Sequence, residues 1–509
     1  MTLRSTVRAR FVLSSVLSLC SAASLGGCEP RDVGAVKVSK GGACDLGADP
    51  ANTEAKVCAD GYVCEPVGGQ EGHVCASPIV IRGQVIDALS QAPLAGALVI
   101  ALDVGSAPVS DVAVADAAGN YELAVSALRD ADGELADDAI YTLNSFAADY
   151  VPFPAGVRPA LPVRTTDAMI EQVSCGDADG DGEADLCDQA VISNPTTVVG
   201  LIPLPPGERG GATIKGKTAG EKIAGVLVVA EDGGEAAPYG LSDLRGEFTI
   251  FNVPAGSVTV RGYRAGYELM PASVAAVAGS EHSVELAVIA SGEALASVSG
   301  SVSIVNGGGS SRTSVVLVPS SVFNTNLERG PVPYGLRSPA PGLAPDVSGA
   351  FVIPGAPAGT YKVLAAFEND GLVRDPDTSI GGTALQEITV TAGESVAVDA
   401  GFKVTGALAV ESPGKDAPEA VEGAPTFVFE DDTSEDRYHV VVYDALGDLI
   451  WEDAAVPAVS GSPTVSVPYG GPALISGMWY QFRATSWRDK GGGAAISRTE
   501  DLRGVFFAK

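Results

Sequence analysis

Three stretches, Asp116-Ala-Ala-Gly-Asn-Tyr121, Asp243-Leu-Arg-Gly-Glu-Phe248 and Asp346-Val-Ser-Gly-Ala-Phe351, share the spacing Asp-x-x-Gly-x-Tyr/Phe. Asp and Gly build a turn, and each turn opens into an alternating apolar run: Tyr121, Leu123 and Val125; Phe248 and Ile250; Phe351 and Ile353. A turn followed by period-two apolar residues predicts a strand that buries every second side chain. Upstream of the first two copies lie matched strands, "IRGQVID…LAGALVIALD" and "IKGKTAG…IAGVLVVAED". Downstream of the second and third, a Pro-Ala-Gly turn opens "VPAGSVTVRGYRAGY" and "APAGTYKVLAAFEND".

This ordering resembles the carboxypeptidase regulatory-like domains, antiparallel sandwiches of prealbumin or starch-binding-like type. The resemblance covers roughly residues 79–404. It implies three β-sandwiches, at 79–210, 211–292 and 296–404. The third copy carries a long Pro/Gly/Ser insertion from Asn306 to Pro345, and the first is followed by a distinct stretch at 127–210. Repeats this degenerate imply a shared fold and no shared activity.

The last hundred residues change rhythm. "ESPGKDAPEAVEG" (411–423) has the composition of a linker, assigned to 405–424, and 425–509 reads as a further sandwich. "YHVVVYDALGDLIWE" is a strand, a turn at Gly447-Asp448 and a second strand. Leu474-Ile-Ser-Gly477-Met-Trp-Tyr480 resembles the tyrosine corner of fibronectin type III domains, in which the Tyr hydroxyl bonds back across the corner. Tyr480, Phe482 and Ala484 are then expected to face inward, and Gln481, Arg483 and Thr485 outward. The fold class expected is all-β: tandem antiparallel β-sandwich domains after a small disulfide-stapled Cys-rich module.

That module sits behind an export signal. Arg4, Arg8 and Arg10 precede an apolar stretch from Phe11 to Leu25, and Gly26-Gly27-Cys28 follows, which is the pattern of a secretory signal at 1–27. Leu25-Gly26-Gly27-Cys28 resembles the lipobox of bacterial lipoproteins, which implies lipidation at Cys28, a tether at 28–43 and a membrane partner reached through the anchor. Beyond the signal, Cys44, Cys58, Cys64 and Cys75 fall inside a small polar module, 44–77, that cannot bury a core unaided. In an exported chain these read as disulfides. Three pairings are possible, of which Cys44–Cys64 with Cys58–Cys75 is the one expected.

Cys175 and Cys187 bracket "GDADGDGEADL". Asp177, Asp179, Asp181, Glu183, Asp185 and Asp188 take positions 1, 3, 5, 7, 9 and 12 of a calcium loop, and Gly182 permits its sharp turn. The twelfth position is Asp where an EF-hand has Glu, and no amphipathic helices flank the loop. The pattern better resembles thrombospondin type 3 loops, which implies a calcium-holding clasp closed by a Cys175–Cys187 disulfide.

Charge and motifs narrow the function. Removing residues 1–27 takes away three arginines and no acid, leaving 29 basic against 63 acidic residues, a net charge of -34. Such a field repels phosphate backbones, so no nucleic-acid partner is expected. The chain has only three histidines, His73, His282 and His439, which lie in separate modules. The His282-Ser-Val-Glu285 spacing of a zinc peptidase falls in an alternating strand, where residues three apart point to opposite faces. No Gly-x-Ser-x-Gly elbow and no phosphate-cradling loop occurs. The expectation is a non-catalytic envelope protein, a string of sandwiches serving as structural, adhesion or binding scaffold, with an envelope protein or polysaccharide as partner. The alternative is a carbohydrate-binding surface protein using the starch-binding-like domains; the rings able to face outward are Trp479 and Trp487 of the last domain.

Overall fold

In a computed structural model, the described residues are 35–45, 55–59, 61–174, 186–219, 223–291, 295–305, 312–367, 385–398, 402–490, 493–499 and 503–509. They form an all-β chain of four sandwiches behind a small stapled module. The three Asp-x-x-Gly copies lie in three sandwiches built alike. In each, a long first strand pairs antiparallel with the signature strand on one side and parallel with a later strand on the other. These first strands are Ile79–Asp87, Ala212–Ala219 and Ala296–Val305.

A glycine in each first strand lies directly opposite the signature aromatic: Gly83 opposite Tyr121, Gly216 opposite Phe248, Gly300 opposite Phe351. The ring lies over the missing side chain. A Cβ at Gly216 would stand 2.4 Å from Phe248 Cζ and 2.6 Å from the Val284 carbonyl of the parallel neighbour. At Gly83 it would meet the Thr197 carbonyl at 2.0 Å, and that carbonyl accepts the Tyr121 hydroxyl at 2.6 Å. At Gly300 the ring and Val398 stand 2.8 and 2.9 Å away. In each copy the ring therefore lies over the glycine, and in the first the Tyr121 hydroxyl also reaches the backbone of Thr197.

The signature turn has its own chemistry. The Asp116 carboxylate accepts the N–H groups of Ala118 and Asn120, both at 2.8 Å, and Gly119 takes φ +76°. Asp243 does the same for Arg245 and Glu247 at 2.9 and 3.0 Å, with Gly246 at φ +77°. The turn recurs at Asp130–Gly133 and Asp444–Gly447, where Leu446 and Asp448 donate at 2.9 and 3.0 Å. Environment then separates like turns. Hydrogen bonding, led by the Asn120 N–H, holds the exposed Asp116 below the usual carboxylate range, whereas burial pushes Asp444 above it. The third copy departs: Val347 bridges to Thr313 and Gly349 is not left-handed, so that segment enters its strand without the turn.

The last sandwich closes Val410–Ser412, Thr426–Glu430 and Thr464–Pro468 over a six-stranded sheet centred on Trp479–Arg488. Phe427 and Phe482 stack at 4.6 Å, and the Tyr480 hydroxyl accepts the Ile475 N–H at 2.8 Å across the corner. Two expectations change here. The stretch assigned as a linker supplies strands Val410–Ser412 and Glu419–Val421, which pair with Thr426–Glu430 and Val505–Ala508. Its polar composition is that of edge strands facing solvent. The supposed tether likewise contributes strand Val36–Val38, paired with Lys56–Cys58.

The modules do not hang as a string. Leu227, Val229, Ala237 and Tyr263 of the second sandwich join the core of the third. Ile100, Leu102 and Phe146 of the first pack on Tyr239, Leu241 and Phe251 of the second, with the Phe146 and Tyr239 rings edge to face at 6.0 Å. The side chain of Asn252, at φ +59°, locks that seam: it accepts the Asp149 N–H at 2.6 Å and donates to the Tyr150 carbonyl at 2.9 Å.

Replacing Gly216 by Ala forces Phe248 out of its place, so a loss of about 1–3 kcal/mol is expected, as for overpacking in a filled core. Gly207→Ala, where a Cβ meets nothing within 4 Å, is the matched control and leaves the melting temperature unchanged. Differential scanning calorimetry on both variants checks the contrast.

Candidate functional site

The sequence-predicted residues scatter. Cys28, Cys175, Asp177, Asp179, Asp181, Glu183 and Asp185 lie outside the described residues. The strands on either side of the acidic segment are described: Met169–Ser174 and Leu186–Ile192 pair antiparallel, with Ser174 opposite Leu186 and Val173 opposite Cys187. Cys187 is buried and disulfide-bonded. Asp188 is exposed and accepts the Gln172 amide. Arg82 steadies the hairpin, donating to Glu171 at 2.6 Å, Glu122 at 2.7 Å and Gln189 at 3.1 Å.

The stapled module has disulfides Cys44–Cys64 and Cys58–Cys75. It is docked on the first sandwich through a buried ion pair, Arg129 to Glu65, with Arg129 also donating to the Ser77 carbonyl at 2.9 Å. Burial pushes the Glu65 carboxyl above its usual range despite the guanidinium beside it.

The histidines stay apart. His282 Nε2 accepts the Val277 N–H at 3.1 Å, and Glu285 pairs with Lys217 at 3.0 Å, so the two do not converge. His439 meets Glu452 at 3.1 Å in the last sandwich. Among the described residues, the grouping of potential metal ligands is Cys44, Cys58 and Cys75, all committed to disulfides.

The tryptophans do not form a platform either. Trp479 stacks on Phe507 at 5.1 Å, Trp487 carries Arg437 at 5.1 Å, and Trp451 meets Tyr469 at 5.5 Å. Among the residues whose burial is described, no aromatic side chain is exposed.

What the structure does bring together is the seam of all four sandwiches. The insertion in the third copy leaves its sheet after Thr313–Pro319 and runs as a strap across the others. Leu327 is fully buried in the core of the last sandwich, alongside Ala88, Val157 and Ile202 of the first. Arg329 donates to the Gly156 carbonyl at 2.9 Å and to Gln481 at 3.2 Å. Arg483 donates to the Leu327 carbonyl at 2.9 Å, and Arg498 pairs with Glu328. Glu328 adopts φ +54°, a strained setting for a non-glycine residue that costs about 1–3 kcal/mol and persists where its surroundings dictate it.

A sequence expectation is corrected here: Gln481, Arg483 and Thr485, read as outward-facing, are buried, the first two against the strap. Beside the strap lies a cavity of about 840 Å³, walled by Phe146, Tyr150, Tyr239, Phe251 and Tyr334, with Arg158 and Arg329 in its lining. Its size and position between modules suit a small ligand.

No protein-family model matches the chain, and no curated protein matches it either. Among solved structures, the Bacillus anthracis TIE protein aligns over 81% of this chain and 65% of its own, at 10% identity and a TM-score of 0.15. A streptococcal ancillary pilin aligns over 64% of this chain and 99% of its own, at 13% identity and a TM-score of 0.15. The minor pilin of Streptococcus agalactiae aligns over 40% and 100%, at 12% identity and a TM-score of 0.17. At such TM-scores no function passes from one protein to the other.

Two variants test the seam. Leu327→Asp places a charge in a sealed core and is expected to free the last sandwich. Small-angle scattering should then show a radius of gyration well above the ~23 Å of a compact chain of this length. An unchanged radius would show that the strap does not hold the modules together. Arg129→Met strands Glu65 without its partner, and a cost of about 3–5 kcal/mol is expected. Limited proteolysis would detect it as faster release of residues before Ser77.

Proposed function

We propose that this chain is a non-catalytic scaffold of the cell envelope, exported, tethered by lipid at Cys28, and presenting four sandwiches as one rigid body to an envelope protein. The observation that carries the reading is the strap: Leu327 of one module completes the core of another, which spreads load across seams instead of leaving flexible joints. The scattered histidines support the non-catalytic part. The export signal and the lipobox-like tetrad in the sequence support the address. Among the described residues no helix is long and apolar enough to cross a membrane. The polysaccharide reading is the weaker one, because sugar binding generally uses exposed rings and each tryptophan here is packed.

The acidic segment is proposed as a calcium clasp held by Asp177, Asp179, Asp181, Glu183, Asp185 and Asp188. Support comes from their alternation and from the hairpin register, which brings Ser174 and Leu186 opposite each other at its two ends. Extracellular loops of this kind bind at ~10⁻⁴–10⁻³ M. Titration calorimetry should give one site in that range, lost in Asp179→Asn/Asp181→Asn.

The scaffold reading is tested by retention of the full chain on whole envelopes, on protease-treated envelopes and on insoluble polysaccharides. Retention on envelopes that disappears after protease treatment is the expected result. Retention on a polysaccharide would overturn the protein-partner reading, and solubility of the protein unchanged by Cys28→Ser would overturn the lipid tether.

A further inference from the structure

Tyr239 stands where three sandwiches meet. It belongs to the second, its ring meets Phe146 of the first edge to face at 6.0 Å, and it packs against the core of the third. Its hydroxyl has no hydrogen-bond partner among the described residues, yet it keeps accessible surface, unlike the sealed polar atoms of the interior. The residue lines the cavity of about 840 Å³. The strand Ile140–Phe146 supplies a facing wall. Residues two apart on a strand share a face, so Thr142, Asn144 and Phe146 look the same way, and all three line the cavity. Thr142 and Asn144 are half-buried, and neither side chain has a hydrogen-bond partner among the described residues.

Packing alone does not account for that polarity. Elsewhere the seam is apolar, with Ile100, Leu102 and Phe146 against Leu241 and Phe251. A half-buried hydroxyl or amide without a partner forfeits hydrogen bonds that water would supply, and Thr142, Asn144 and Tyr239 all open into one space. Aromatic and apolar walls with a few placed polar groups, at a seam between modules, are the usual make-up of a small-molecule site. Charge then narrows what fits. The cations of the lining are spent on backbone: Arg158 donates to the Gly200 carbonyl, Arg209 to that of Leu204 and Arg329 to that of Gly156. Glu208, Asp232, Glu235 and Asp448 line the cavity from exposed positions, and the chain carries a net charge of -31. An anion would enter against that field, and any ion would exchange water for rings and neutral groups.

We propose that this cavity binds an uncharged aromatic compound carrying a carbonyl or amide group. Its ring lies against Phe146, Phe251 and Tyr239, where offset and edge-to-face contacts are available. Its polar group is held by the Asn144 amide, with the Thr142 and Tyr239 hydroxyls as further donors. The walls come from different sandwiches, so occupancy also stabilises the seam between the first and the second.

The test uses the full chain and N-phenyl-naphthylamine, an uncharged dye that brightens in apolar surroundings, with anilinonaphthalene sulfonate as its anionic comparator. Saturable one-to-one binding of the neutral dye, and weaker binding of the sulfonate, is the expected result. Naphthamide should then displace the dye better than naphthalene does. That advantage is expected to be about fivefold, the worth of one neutral hydrogen bond, and to vanish when Asn144→Leu and Tyr239→Phe are combined. Should the double variant not fold, wild-type crystals soaked with bromonaphthamide decide the matter. An anomalous peak in the cavity against Phe146 or Tyr239 supports the site. Ordered water alone there, no saturable binding, equal binding of both dyes, or an advantage untouched by the substitutions overturns it.

Discussion

Everything in the three repeated sandwiches depends on one contact, an aromatic ring lying over a glycine of the neighbouring strand. The glycine is required because ring and parallel strand leave no volume for a Cβ: the carbonyls of Thr197 and Val284 stand 2.0 and 2.6 Å from where one would be. The ring is required because a bare glycine in a strand interior weakens it. Each makes the other acceptable, and together they fix the register of the first strand against the signature strand. A one-residue slip would put every apolar side chain of that strand on the wrong face. In the first two copies the Asp-x-x-Gly turn places the ring, and in all three the parallel strand on the far side closes the arrangement.

Local chemistry was readable along the chain and distant chemistry was not. The turn residues and the alternation after them announce strands, and the four clustered cysteines announce staples, because those signals lie within a few residues of one another. Gly300 gave no such signal. Without a matched strand written around it, its pairing with Phe351 became visible only in the register. The outward reading of Gln481, Arg483 and Thr485 failed for a related reason. Alternation reports the face a side chain takes, and nothing in those residues says that a strap from about 150 positions earlier covers that face. The stretch 411–423 misled by composition, since an edge strand open to solvent and a linker are polar for the same reason. As for the candidate site, the acidic segment rests on the sequence alone and stays a proposal, whereas the cavity belongs to seams that no single module encodes.

The seams also show how an acidic chain spends its few cations. Lysines pair on surfaces, as Lys215 with Glu281 and Lys362 with Glu387 do, at sites open to water. Arginines go to the joints: Arg129, Arg158, Arg329 and Arg483 all reach backbone carbonyls across or beside a module boundary. A planar fork of donors suits that role, because one guanidinium can satisfy several carbonyls where backbone cannot pair with backbone. The apolar seams and the arginine joints are complementary, the first supplying area and the second orientation.

The strap has a consequence for how such a chain can evolve. A β-sandwich that completes its own core can be duplicated, moved or lost as a cassette. The last sandwich has given that freedom up: its core includes Leu327 from a neighbour and its covered face is shaped to that neighbour's backbone. Shuffled alone into another protein, it would arrive with a hole and an uncovered row of polar side chains. The boundary between the third and fourth modules is therefore a poor place for recombination, and the pair should be inherited as one unit even where the modules before it come and go.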